Sequence, residues 1–142
     1  MPVPSFSGSA VRQRASSPKL LVLDNALTNA AAGREFSRAV ADGSLWGRLV
    51  ENAVGSHLYN RLTHRGAALF YWRERDDEID FVVKMGENVM GVEVKSGRQK
   101  SGRGVEAFRR RFKGAGALVV GGDEMPISTF LQSDPYTIVF KQ

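Results

Sequence analysis

The stretch that decides the fold runs from residue 79 to residue 95 and reads IDFVVKMGENVMGVEVK. Two valine-rich runs, Ile79 to Lys84 and Val89 to Lys95, flank the turn signal Gly86-Glu87-Asn88. This pattern predicts two antiparallel strands joined by a tight turn. Strict alternation along the first strand places Asp80 on the face opposite Phe81. The stretch therefore predicts a β-hairpin within a larger sheet.

Elements on both sides extend this hairpin. Ala67 to Arg73 ends in three aromatic residues and an arginine, which predicts a strand ahead of the hairpin. Ala117 to Val120, bounded by glycines, predicts a strand buried on both faces. A helix from about Gly104 to Lys113 would lead to it, and a long helix over about residues 45–63, capped by Ser44, would precede the sheet. The order predicts an α/β fold in which helices flank a mixed sheet of an antiparallel three-strand meander and one helix-connected strand.

The ends of the chain carry other signals. Residues 1–17 are rich in Ser, Pro and Gly, which predicts a flexible N-terminal arm, or a remnant of a longer chain. The rest, residues 18–142, is predicted to be a single domain. Leu20 to Leu23 predicts a short strand, Ala26 to Ala32 a short helix, and Tyr136 to Phe140 a last strand.

The composition restricts the chemistry. The chain has 142 residues, 42% hydrophobic and 25% charged, so we expect a packed core. It has no cysteine, which excludes disulfides, thiolate catalysis and cysteine-based metal centres. No apolar run reaches the roughly 18 residues of a membrane span, and we expect a cytoplasmic protein. The net charge of +5 favours an anionic partner, nucleic acid first, although many soluble domains are mildly basic for other reasons.

A candidate site lies at the end of the hairpin. Glu93 and Lys95 are two residues apart in a strand, so their side chains share a face. Pairing through the Gly86 turn would bring Asp80 beside Glu93. Two adjacent carboxylates repel each other unless a cation lies between them, and oxygen ligands suit Mg²⁺ or Mn²⁺. Such an ion lowers the pKa of a bound water and stabilises charge on a phosphate, while a lysine orients the water or neutralises that charge. The alternative is a surface ion pair of little consequence.

A third carboxylate comes from the long helix. On a helical wheel Glu51 falls between Leu58 and Leu62, inside the apolar arc. A carboxylate on the buried side of a helix is unusual unless a cation meets it. Glu51 is therefore a candidate third metal ligand, and the alternative is a side chain that reaches solvent at the edge of the apolar face.

Basic residues follow the proposed site along the chain. Several positive side chains near a metal site would hold a phosphate backbone. The alternative is a solvated helix face and a charged loop. The residues are Arg98, Lys100, Arg103, Arg109, Arg110, Arg111 and Lys113.

Four separated blocks carry a family resemblance. They resemble an uncharacterised domain at the C-terminus of many prokaryotic AAA+ ATPases, which is similar to the PD-(D/E)XK, or restriction-endonuclease-like, nuclease superfamily. The resemblance covers about residues 18–122, and the segment KLLVLDNAL (19–27) is similar to the part of that domain before its core. The blocks are WGRLVEN (46–52), YWR (71–73), EIDFVV (78–83) and VEVKS (92–96).

The resemblance implies a fold and roles for four residues. The fold would be restriction-endonuclease-like, with Glu51 as the helical acid, Asp80 as the first sheet acid, and Glu93 and Lys95 as the second acid and the lysine. The implied function is Mg²⁺- or Mn²⁺-dependent DNA endonuclease activity. The alternative is a catalytically inactive module that binds DNA or a protein partner.

One feature of the related proteins is missing. The chain has no G-x-x-x-x-G-K-[ST] loop, so the ATPase part is absent. An AAA+ ATPase module on a longer or separate chain, and a second copy in a homodimer, are therefore the protein partners to consider.

Overall fold

The computed structural model describes residues 1–24, 26, 36–97 and 102–141. In that part of the chain it contains six strands, six α-helices and one 3₁₀ turn (Thr63–Arg65). In chain order the strands and α-helices are β1 (Pro2–Val3), α1 (Ala10–Ala15), β2 (Lys19–Leu20), α2 (Phe36–Ala41), α3 (Gly43–Leu62), β3 (Ala68–Glu74), β4 (Asp77–Met85), β5 (Asn88–Lys95), α4 (Arg103–Arg111), β6 (Gly116–Gly121), α5 (Ile127–Gln132) and α6 (Pro135–Phe140).

The main sheet has the strand order β3-β4-β5-β6. The first three strands are antiparallel neighbours, and β6 lies parallel to β5 after the crossover through α4. The hairpin between β4 and β5 closes at Met85 and Asn88, with Gly86 at φ +58°, a left-handed conformation that favours glycine. The predicted meander, the helix-connected strand and the mixed α/β architecture are thus confirmed.

Apolar side chains cover both faces of this sheet. On one face Val54 and Leu58 of α3 pack with Phe81 of β4. On the other, Phe108 of α4 packs with Val119 of β6. Both α3 and α4 therefore pack on the sheet near the start of β4, where Asp80 lies.

The N-terminal segment packs against the sheet. β1 and β2 pair antiparallel, with Val3 opposite Lys19, and Val3 is fully buried. The amino group of Met1 donates to the carbonyl of Leu21 at 2.6 Å. The ring of Phe6 contacts aromatic rings of β3 and of the segment after α4. The division into a flexible arm and a domain stays a prediction, but part of the arm lies in the core.

The prediction of a last strand is wrong. Tyr136 to Phe140 form most of helix α6. The side chain of Asp134 accepts a hydrogen bond from the backbone of Tyr136 at 3.1 Å, and Pro135 occupies the first turn. A capping acid followed by proline begins a helix, and here it outweighs the strand preference of the β-branched residues that follow.

Two element boundaries also differ from prediction. Asp42, and not Ser44, caps the long helix, because its carboxylate accepts hydrogen bonds from the backbones of Ser44 and Leu45. The second strand covers Lys19–Leu20 instead of Leu20 to Leu23, and it pairs with β1. All but Ala26 of the helix predicted over residues 26–32 lies outside the described residues. Among the described residues, no helix is both long and apolar enough to cross a bilayer.

Candidate functional site

A β-bulge shapes the start of β4. Between two regular pairs of β3 and β4 the register shifts, so that residues 80 and 81 together lie opposite Tyr71. As a result, Ile79 and Val82 both pack on the α4 side of the sheet, whereas Phe81 packs on the α3 side. Strict alternation through Asp80, which would place it with Val82 and opposite Phe81, is therefore wrong. The extra residue in the bulge redirects the Asp80 side chain.

Asp80 and Glu51 meet at a lysine that the sequence did not single out. The Nζ atom of Lys19, on β2, forms an ion pair with Oε1 of Glu51 and lies 3.7 Å from Oδ1 of Asp80. It also donates to the backbone carbonyl of Asp80 at 3.4 Å and lies 4.9 Å from the ring centroid of Phe81. Glu51 thus has the cation that its place on the apolar arc required, and Lys19 supplies it.

The Asp80 carboxylate also joins β4 to β5. Its Oδ2 accepts a hydrogen bond from the backbone N–H of Val94 at 2.8 Å. Burial first, and then the negative charge of Glu51, raise the pKa of Asp80 to about 6, although Lys19 and the Val94 hydrogen bond act in the opposite direction. A cation near this carboxylate would therefore compete with a proton close to neutral pH.

Glu93 is a buried carboxylate with one satisfied oxygen. It is 6% exposed, and its Oε1 lies 2.5 Å from Nζ of Lys95. Its Oε2 is buried and accepts no hydrogen bond from the described part of the chain. A buried carboxylate oxygen without a partner is costly and identifies a place where a ligand would be stabilised.

The position of Glu93 follows from the pairing of β5 with β6. Glu93 lies opposite Val119, which packs on the α4 side of the sheet. Oε1 of Glu93 also lies 3.5 Å from where a Cβ on Gly102 would stand, at the start of α4. The predicted shared face of Glu93 and Lys95 is confirmed by their ion pair.

The structure brings the predicted site residues together in two groups. Glu51 and Asp80 meet around Lys19, and Glu93 pairs with Lys95. Val94 connects the groups, since its N–H binds Asp80 and its neighbours in sequence are Glu93 and Lys95. Over residues 1–24, 26, 36–97 and 102–141 there is no set of three or more Asp, Glu or His side chains placed to hold one metal ion.

Some of the predicted basic residues form hydrogen bonds within the fold, and others do not. Arg103 donates to Asp77 at 2.5 Å, Arg109 to the carbonyl of Ala117 at 2.7 Å, and Arg111 to Glu74 at 3.2 Å. These bonds fasten α4 to the sheet and the strand that follows. Arg110 and Lys113 are exposed. Arg98 and Lys100 lie outside the described residues.

Lys19 is the functional candidate that the sequence analysis missed. It belongs to a block that resembles the related domain, but it lies 32 residues before Glu51 and 61 before Asp80. No periodicity or spacing connects residues so far apart. The signal that pointed to such a lysine was the position of Glu51 in the apolar arc of α3, because a carboxylate there requires a cationic partner from another segment.

Comparison with known proteins places the chain in a family. A protein-family model described as a domain of unknown function, DUF4143, matches residues 46–133. The chain belongs to this family. The match extends from α3 through α5 and includes Glu51, Asp80 and Glu93. It agrees with the resemblance to an uncharacterised domain associated with AAA-type ATPases. No curated protein and no solved structure matches the chain.

Proposed function

We propose that this chain is a metal-dependent phosphodiesterase that acts on DNA. The observation that carries the proposal is the buried carboxylate of Glu93, which pairs with Lys95 through one oxygen while its other oxygen accepts no hydrogen bond from the described residues. A hard cation would stabilise this buried oxygen, and the adjacent lysine would bind the negative charge of a phosphate ester.

The carboxylates fit Mg²⁺ or Mn²⁺ by their chemistry. Oxygen donors from several elements suit hard divalent cations. In the described part of the chain no three carboxylates already meet at one point, so an ion held by Asp80, Glu93 and Glu51 would have to draw the two groups together. When bound, such an ion lowers the pKa of a water and neutralises charge on the phosphate. Burial, followed by the charge of Glu51, raises the pKa of Asp80, and a bound cation would offset both effects by neutralising the carboxylate.

Lys95 has a role that is separate from metal binding. The Nζ atom of Lys95 contacts Glu93, and 22% of the Lys95 side chain is exposed to solvent. From that position it would orient an attacking water or neutralise charge that develops on the phosphate in the transition state. Glu93 positions Lys95 through the ion pair.

The sheet order and the net charge support DNA as the substrate. The succession of α3, the β3–β5 meander, α4 and β6 is the order expected of a restriction-endonuclease-like core, with one acid on the helix and two on the meander. The net charge of +5 and the exposed Arg110 and Lys113 favour a phosphate backbone.

A second candidate is a module of the same family without catalytic activity, which binds DNA or an ATPase partner. The observation that favours it is the ion pair network of Lys19, because an ammonium group already lies between Glu51 and Asp80. The two carboxylates are then satisfied without a metal ion.

A nuclease assay separates the two candidates. Purified protein is incubated with supercoiled, linear and single-stranded DNA in Mg²⁺, in Mn²⁺ and in EDTA. We expect metal-dependent cleavage that Glu93→Ala and Lys95→Ala abolish. Glu87→Ala, which removes an exposed acid from the turn at the other end of the hairpin, is the matched control. Cleavage that survives both site variants overturns the proposal, and metal-independent binding without cleavage supports the second candidate.

A further inference from the structure

Lys19 occupies the space between two carboxylates that the proposed function assigns to a metal ion. Its Nζ contacts Glu51 and lies 3.7 Å from Asp80. Two carboxylates on one small cation leave little room for a second positive charge, because like charges at such distances repel strongly. The ammonium group and a divalent ion are thus mutually exclusive occupants of this position.

We propose that Lys19 is the resident cation of the Glu51–Asp80 pair, and that a divalent metal ion binds these carboxylates by displacing it. The inference rests on the proposed metal chemistry and adds a residue to it. Lys19 acts as a positioning residue, because it holds the two acids together through its charge. It also sets the metal concentration that the site requires, because an intramolecular competitor lowers the apparent affinity.

The surroundings of Lys19 leave room for its displacement. A cavity of about 240 Å³ opens on one side and is lined by Tyr71, Glu78 and Asp80 among others. A second cavity of about 400 Å³ opens on the other side, along Leu45, Glu51 and neighbouring residues. Lys19 lines both cavities, and its side chain is 30% exposed. Rotation of the side chain alone would therefore carry the ammonium group away from the carboxylates.

The backbone of Lys19, by contrast, is held in place. Its partner in the β1–β2 ribbon, Val3, is fully buried. Two hydrogen bonds between Met1 and Leu21, of 2.6 and 2.8 Å, close the ribbon next to it. A displaced ammonium group stays tethered near the acids, so its effective concentration is high and it competes persistently.

The test is a measurement of Mn²⁺ binding by calorimetry and by the electron paramagnetic resonance of free Mn²⁺, on wild type and Lys19→Gln. We expect Lys19→Gln to bind Mn²⁺ about tenfold more tightly, as for a site that is nine-tenths occupied by its competitor. Lys84→Gln removes the same charge from an exposed position at the other end of β4 and should leave the affinity unchanged. The double variant Lys19→Gln/Glu51→Gln should lose the increase in Mn²⁺ affinity, because one of the two carboxylates is gone.

The outcomes separate this inference from the proposed function. If wild type binds Mn²⁺ and Lys19→Gln binds it equally or more weakly, the inference is overturned and the nuclease proposal stands. If Lys19→Gln binds more tightly but neither protein cleaves DNA, the inference stands and the nuclease proposal falls. Absence of Mn²⁺ binding in both proteins overturns both. Lys19→Met, which keeps the packing on Phe81, repeats the measurement, so that a folding defect of the glutamine variant does not decide it.

Discussion

Asp80 binds the backbone N–H of Val94 through its side chain, at 2.8 Å, just beyond the last regular pair of β4 and β5. The carboxylate thereby satisfies a donor that the strand ladder leaves open, while its other oxygen faces Lys19. One side chain thus connects the two groups of candidate residues, and its ionisation affects both the fold and the site.

The elevated pKa of Asp80 predicts a pH-dependent stability. The folded protein holds the proton more tightly than the unfolded chain, whose Asp80 has the ordinary pKa of 3.8. The stability that this difference in pKa contributes is therefore fully present below pH 3.8 and is lost as the pH rises through about 6. At 1.36 kcal/mol per pKa unit, the loss is at most about 3 kcal/mol.

The measurement is urea denaturation of wild type and Asp80→Asn from pH 4 to pH 8. Because asparagine does not ionise and still presents an oxygen to Val94, its stability relative to wild type should rise through this range and level off above pH 6. A constant difference between the two proteins across the range would contradict the prediction.

Lys19→Gln should destabilise the fold at pH 7.5 in the presence of a chelator. Glu51 and Asp80 lose the cation that they share, but all three side chains are partly exposed, so solvent screens the effect. We expect a loss of about 1 kcal/mol in the free energy of unfolding. Lys84→Gln serves as the control, and an equal loss in both variants would show that the network around Lys19 contributes nothing.

Glu93→Gln should stabilise the protein while abolishing any cleavage of DNA. The substitution removes a buried charge with an unsatisfied oxygen, and Lys95 still reaches solvent. We expect a gain of about 1 kcal/mol, the pattern of a site that sacrifices stability for function. Thermal and urea denaturation check the gain, and a net loss of stability would mean that the ion pair outweighs the cost of burial.

Gly104→Ala should destabilise the packing of α4 on β4. A Cβ at this position would collide with the backbone carbonyl of Glu78, which has no means of moving aside. We expect a loss of about 2 kcal/mol. Gly43→Ala, at the start of α3, meets nothing within 4 Å and is the control, with no loss expected. Equal stability of both variants in urea would show that α4 shifts freely on the sheet.

Much of the fold was predictable from local patterns. The valine-rich runs around Gly86 predicted the hairpin, and the glycine-bounded run at residues 117–120 predicted β6. Helix α6 was not predictable in this way, because Asp134 and Pro135 start a helix in a stretch whose side chains prefer a strand. There, capping competed with strand propensity, and capping prevailed.

The candidate site was only half predictable. That Glu93 and Lys95 meet follows from the two-residue period of a strand, and it needs no knowledge of the rest of the fold. The same period misplaced Asp80, because a bulge adds one residue and reverses the faces beyond it.

By itself, therefore, the sequence determined the order of the core elements, the pairing of Glu93 with Lys95 and the need of Glu51 for a cation, because each depends on residues close together in the chain. Only the tertiary structure decided that Lys19 is that cation and that Asp80 joins it. Their meeting requires the β1–β2 ribbon to pack beside α3 and the register of β3 and β4 to shift by one residue. Both are products of packing between distant segments, and no local period encodes them.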